Sequence, residues 1–187
     1  MHQEIERILN RLPGQIGCEI FYPDSGDRYT CNADQPLMAA SVIKLTVMVE
    51  AFRQREAGIL RFDQTVTIRR EDKLPSCGAL TYMHDGLQVT VEDLVTLMII
   101  LSDNTATNTV ISLLGYDHVN RYCRAIGLTQ TSLQRKMLDF QAIAEGRNNY
   151  TSPADLYRVF SLLYHGEILN KPLREVAFDF LSRCRST

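Results

Sequence analysis

The sequence lacks several features that would have fixed its class at once. No apolar run approaches the roughly 20 residues that span a bilayer. The opening Met-His-Gln-Glu-Ile-Glu-Arg has no basic stretch followed by an apolar one. As written, the chain is expected to be cytoplasmic, or periplasmic or extracellular if a leader has been removed. An excess of positive charge is also missing: 20 Lys+Arg stand against 22 Asp+Glu, a net charge of -2, so neither nucleic acid nor an anionic membrane is an expected partner. There is no Cys-x-x-Cys pair, and the five cysteines, Cys18, Cys31, Cys77, Cys123 and Cys184, are odd in number. A zinc site or a full disulfide set is therefore not indicated. No His-Glu-x-x-His helix or carboxylate cluster suggests a metal, and no cofactor is expected. Histidines His2, His84, His118 and His165 fall in no recognisable triad arrangement.

What is present is an ordinary globular composition. With 187 residues, 45% apolar and 22% charged, such a chain can bury about 70% of its unfolded surface, and no repeat or linker divides it. Ile5, Ile8, Leu9 and Leu12 recur at helical spacing before Pro13-Gly14. Residues 16–22 and 28–32 are β-rich runs around the turn Pro23-Asp-Ser-Gly-Asp27. Cys18 and Cys31 lie on these two facing strands, where a bridge requires a register that the sequence does not fix. From Ser41 to Phe52 the chain is apolar on nearly every side, with a glycine stop at Gly58, which predicts a central buried helix. Residues 65–68 read as an extended patch. Thr90-Val-Glu-Asp93 resembles a capping box opening a helix through Leu101. Further helices are expected over 105–114 and 117–126, from Ser152-Pro153 through Tyr164, and from Asn170 onward. Only the first two strands are convincing, and a two-stranded sheet alone is marginal in water.

Two short patterns carry chemistry. In Ser41-Val-Ile-Lys44, positions i and i+3 share a helix face. A serine needs an adjacent base to attack a carbonyl, and a lysine in apolar surroundings can serve because burial disfavours its ammonium form. Met38-Ala-Ala-Ser41 places the serine at the helix's N-terminal end, where unpaired backbone N–H groups can stabilise an oxyanion. Alone, the pattern fits equally well a serine N-cap followed by a lysine snorkelling from the core. Ser102-Asp103-Asn104 sits on a turn between two apolar helices, where a hydroxyl and an amide can reach a cleft. Alone, it reads first as local capping.

Together, a Ser-x-x-Lys opening a buried helix and a Ser-Asp-Asn about sixty residues later resemble the class A β-lactamases and penicillin-binding serine acyl enzymes. His84-Asp-Gly-Leu87, Leu101-Ser-Asp-Asn-Thr-Ala-Thr-Asn108, Leu113-Leu-Gly115 and Tyr150-Thr-Ser-Pro153 extend the likeness from about Ile16 to the end. The resemblance implies an α+β, β-lactamase-like fold in one domain over 1–187. Its helical part would span 36–187, and residues 1–35 would supply the helix and hairpin of an antiparallel sheet. By motif, Ser41 would be the acylated nucleophile, Lys44 its base, Ser102 a proton relay and Asn104 a contact to substrate and lysine. Asp103 would be structural. The substrate would be a small molecule with a reactive carbonyl: a β-lactam, an ester or a peptide.

The sequence departs from that family in two places. Glu145-Gly-Arg-Asn-Asn149 has the spacing of the family's deacylating glutamate loop, yet the chain reaches Thr151-Ser-Pro153 within a few residues. The loop is short, so Glu145 is expected to be an ordinary solvated residue, leaving deacylation slow. No Lys-Thr-Gly or Lys-Ser-Gly occurs, and the three further strands and closing helix expected in the family do not follow. The sheet would then keep one unpaired edge, covered in a homo-oligomer or left bare in a truncated product. A second reading is accordingly a fold remnant or assembly domain without turnover, exchanging a strand or helix across a dimer.

Overall fold

The computed structural model describes residues 2–75 and 78–185; Cys77 lies outside the described residues. Helix α1 (His2–Leu9) buries none of its residues. The chain then forms the antiparallel hairpin β1 (Cys18–Phe21) and β2 (Arg28–Cys31), in a register that pairs Cys18 with Cys31 and Phe21 with Arg28. Its turn is closed by Tyr22 N–H donating to Asp27 O at 2.9 Å.

After a two-residue strand, β3 (Leu37–Met38), a 3-10 turn over Ala40–Ile43 runs directly into α2 (Lys44–Glu56). Every α2 residue from Lys44 to Phe52 is buried, so this helix is the axis of the core, as its all-round apolar sequence demands. Its one buried carboxylate is well satisfied. Glu50 accepts from Arg53 at 2.6 and 2.8 Å and from Gln54 at 2.8 Å, the partners that make a buried charge tolerable.

Strands β4 (Thr65–Ile68) and β5 (Leu87–Thr90) pair antiparallel, Thr65 opposite Thr90. Thr90 then caps α3 (Val91–Ile100): its hydroxyl accepts from Asp93 N–H at 3.0 Å while the Asp93 carboxylate takes the Thr90 N–H at 2.8 Å. Helices α4 (Asn104–Leu114) and α5 (Tyr116–Ala125) follow, turned at Gly115. A short α6 (Phe140–Ala144) leads to β6 (Tyr150–Thr151), which pairs with β3. Ser152 caps α7 (Pro153–His165), which packs against β1, and Asn170 caps α8 (Lys171–Ser182). α2 is surrounded by α3, α4, α5 and α8, with Phe52 packed between Phe62 and Phe180 in tilted contacts at ring-centroid distances of 5.3 and 5.9 Å.

The sequence reading is corrected in its strands. Six are described rather than two, arranged as three two-stranded antiparallel sheets. β3 and β6 have two residues each and lie more than a hundred residues apart, too short for an alternating pattern to register. β5 has four residues and none of them is fully buried, so it too gives little alternation to read.

Candidate active site

Ser41 is held out to solvent by the backbone on either side of it. Upstream, β3 is pinned by β6, and Ala39 N–H donates to Asn149 O at 2.9 Å. Ala40 then takes φ +43°, a left-handed conformation that is unfavourable for a residue with a Cβ and persists only where surrounding structure enforces it. This reverses the chain so that Ser41 enters the 3-10 turn exposed, while Lys44, one turn on, is only 3% exposed.

The second element arrives from the α3–α4 junction. Ser102 has φ +53°, again a strained position for a non-glycine residue. Asp103 fixes the turn: one carboxylate oxygen caps α4 by accepting from Ala106 N–H at 2.9 Å, and the other accepts from Leu80 N–H at 2.9 Å. That accords with the structural role expected of it. The segment carrying Leu80 approaches so closely that a Cβ on Gly78 would come within 2.4 Å of the Asp103 carboxylate.

The two motifs meet at Lys44. Its Nζ lies 3.3 Å from Ser41 Oγ, 2.7 Å from Ser102 Oγ, 2.7 Å from the Ser102 carbonyl and 2.9 Å from Asn104 Oδ1. Ser102 Oγ donates to Ser41 Oγ at 2.9 Å. All four residues singled out in the sequence thus form one cluster: an exposed hydroxyl above a buried amine, with a second hydroxyl touching both. Such an arrangement can remove a proton from Ser41 and return it elsewhere.

Glu145 sits apart from these contacts. Its side chain is 44% exposed, pairs with Arg147 at 2.5 Å and accepts from Gln141 at 3.0 Å. The asparagines after it clamp the loop. Asn149 accepts from the N–H groups of Gln134 and Arg135 at 2.8 and 3.0 Å, and Asn148 accepts from Arg135 Nε at 2.9 Å while donating to Met38 Sδ. Sequence reasoning met Asn149 only as the end of the Glu145 pattern and missed Asn148 and the strained Ala40; the adjacent Asn-Asn before β6 was the available sign. Beside Ser41, Leu37, Met38, Val42, Pro153, Leu156 and Phe160 line an apolar groove of about 520 Å³.

The sequence pattern of the β-lactamase enzyme family matches residues 1–186. Among curated proteins, a β-lactamase of Rhodobacter capsulatus is 25% identical over 93% of this chain and 60% of its own length, and β-lactamase L2 of Stenotrophomonas maltophilia is 28% identical over 90% and 56%. The chain therefore spans somewhat under two thirds of these relatives. Among solved structures, a β-lactamase of Sphaerobacter thermophilus superposes with a TM-score of 0.84 at 32% identity, covering 91% of this chain and 64% of that one. The penicillin-binding protein PBP-A superposes with a TM-score of 0.89 at 30% identity, covering 99% and 69%. With an α+β, β-lactamase-like fold and a family match along nearly its entire length, the chain belongs to the β-lactamase enzyme family.

Proposed function

We propose that the chain acts as a serine acyl enzyme, with Ser41 attacking the carbonyl of a β-lactam or of another activated amide or ester. The observation that carries this reading is the position of Lys44 Nζ between two hydroxyls and two carbonyl oxygens. A carbonyl oxygen only accepts hydrogen bonds. If Lys44 is a neutral amine, its two N–H groups point at the Ser102 carbonyl and Asn104 Oδ1, and its lone pair faces the hydroxyls. The distances favour a relay over direct transfer: Ser41 to Ser102 is 2.9 Å and Ser102 to Lys44 is 2.7 Å, against 3.3 Å for the direct route. Rotation of both hydroxyls lets the Ser41 proton pass to Ser102 as the Ser102 proton passes to Lys44. Oγ of Ser41 then bonds to the carbonyl carbon, and as the bond from that carbon to the departing nitrogen or oxygen breaks, the ammonium passes its proton through Ser102 to the leaving atom. Asn104 holds the lysine through Oδ1 and offers its amide N–H to the substrate. A PBP-A variant has been solved as an acyl-enzyme complex with penicillin G, which supports a penicillin as the first substrate to try. Because Glu145 is exposed and paired with Arg147, the acyl-enzyme is expected to be long-lived.

Incubation with a fluorescent penicillin tests the reading. Label is expected on the tryptic peptide Tyr29–Lys44, which contains Ser41, and is lost in Ser41→Ala; Lys44→Met is expected to slow labelling at least a hundredfold. Absence of label on the folded chain at high reagent concentration, or label surviving Ser41→Ala, would sink it and leave the non-catalytic assembly domain as the better reading.

A further inference from the structure

The open end of the β1–β2 hairpin carries one cysteine on each strand. Cys18 and Cys31 are direct partners in the register, so their side chains leave the same face of the ribbon. Residues opposite one another in an antiparallel ladder have Cα atoms about 4.5 to 5.5 Å apart, inside the roughly 4.4 to 6.8 Å that a disulfide spans. Both are free thiols in this structure and both are partly exposed. Burial, followed by the adjacent Cys31 and Glu19, raises the Cys18 thiol above its ordinary value.

The hairpin is already seated against α7. Gly17 packs so tightly on α7 that a Cβ there would meet Pro153 Cγ at 2.8 Å. Phe21 lies 6.0 Å from the Tyr157 ring, and the Arg28 guanidinium sits 4.9 Å above it. Cys18 also lines the apolar groove that holds Met38 and Val42 beside Ser41. By contrast, Cys123 is buried and Cys184 stands near the chain end.

We propose that Cys18 and Cys31 form a reversible disulfide that staples the open end of the hairpin, made by exchange with a low-molecular-weight disulfide of the oxidised-glutathione class. One cysteine thiolate attacks the reagent's S–S bond and expels the first thiolate, giving a mixed disulfide. The second cysteine thiolate attacks the protein sulfur of that mixed disulfide and expels the other. The protein loses two protons and two electrons, and the reagent leaves as two thiols. The bridge closes the loop 19–30, shrinking the unfolded ensemble and fixing the strand that walls the groove.

The test equilibrates the full chain with oxidised glutathione, blocks remaining thiols with iodoacetamide and digests with trypsin. The expected product is peptide Leu12–Arg28 joined to Tyr29–Lys44, two mass units lighter than the sum of the free thiol peptides, and separated by dithiothreitol. Tm of the oxidised monomer is expected to rise by roughly 5 to 10 °C over the reduced form. Cys31→Ser is expected to carry a glutathione adduct on Cys18 with no such rise, and the double serine variant to fold with a Tm indifferent to redox state. Two freely alkylated cysteines at equilibrium, a bridge to Cys123 or Cys184 instead, or a bridge formed without a rise in Tm would each overturn the proposal.

Discussion

The helical body around α2 and the N-terminal segment leading through α1 into the β1–β2 hairpin are built on opposite terms. In α2 nine consecutive residues are buried, and five neighbouring side chains of the core, Phe52, Phe62, Leu94, Met98 and Phe180, are at most 6% exposed. In α1 no residue is buried: Ile8 is 53% exposed, and Leu12, just past the end of the helix, is 52% exposed. The α1 segment has a single apolar stripe at helical spacing, whereas the α2 segment is apolar on nearly every side, the pattern of a core helix. What separates them is whether other elements cover the apolar side, and α2 is enclosed by four helices.

Truncation at the two ends of that contrast should read very differently. Phe52→Ala empties the space between Phe62 and Phe180 and is expected to destabilise the fold by about 3 to 5 kcal/mol, measured by chemical denaturation; a loss under about 1 kcal/mol would show that the body repacks freely. A smaller effect is expected from the thiol inside the body. Burial pushes the Cys123 thiol up to about 11 from 9.0, partly opposed by a hydrogen bond with Thr46. A raised folded value means the contribution is complete below pH 9 and is lost as pH climbs through 11, on the order of 2 kcal/mol in all. Tm should therefore fall across that window, and Cys123→Ala should flatten the fall; an unchanged slope would assign it to other groups, such as Tyr122, raised to about 12. Ile8→Ala should change stability by less than about 0.5 kcal/mol. A larger loss would show that α1 is anchored more firmly than its exposure indicates.

Local chemistry made much of the helical architecture legible. Thr90 with Asp93, Ser152 with Pro153, and Asn170 each announce a helix start through groups that satisfy unpaired backbone N–H, and each caps its helix in the structure. Gly58 and Gly115 mark helix ends because they take positive φ. The strands were harder to read. β3 and β6 exist because Leu37 and Met38 find Thr151 and Tyr150 across the fold, and four residues supply no period. The five-residue α6 was missed for the same reason.

The sequence by itself determined which groups are available: a serine and lysine three apart, a Ser-Asp-Asn between two apolar runs, and two cysteines on facing strands. These depend on covalent order and on local propensity, which any window of the chain displays. Only tertiary structure decided that Ser102 Oγ comes within 2.9 Å of Ser41 and 2.7 Å of Lys44, that Glu145 turns to Arg147, and that Cys18 faces Cys31. Those outcomes follow from the burial of α2 beneath α3 and α4 and from a strand register, both fixed by contacts between distant residues. The strained backbone at Ala40 and Ser102 belongs with them: neither residue adopts such a conformation by preference, and the packed fold holds both.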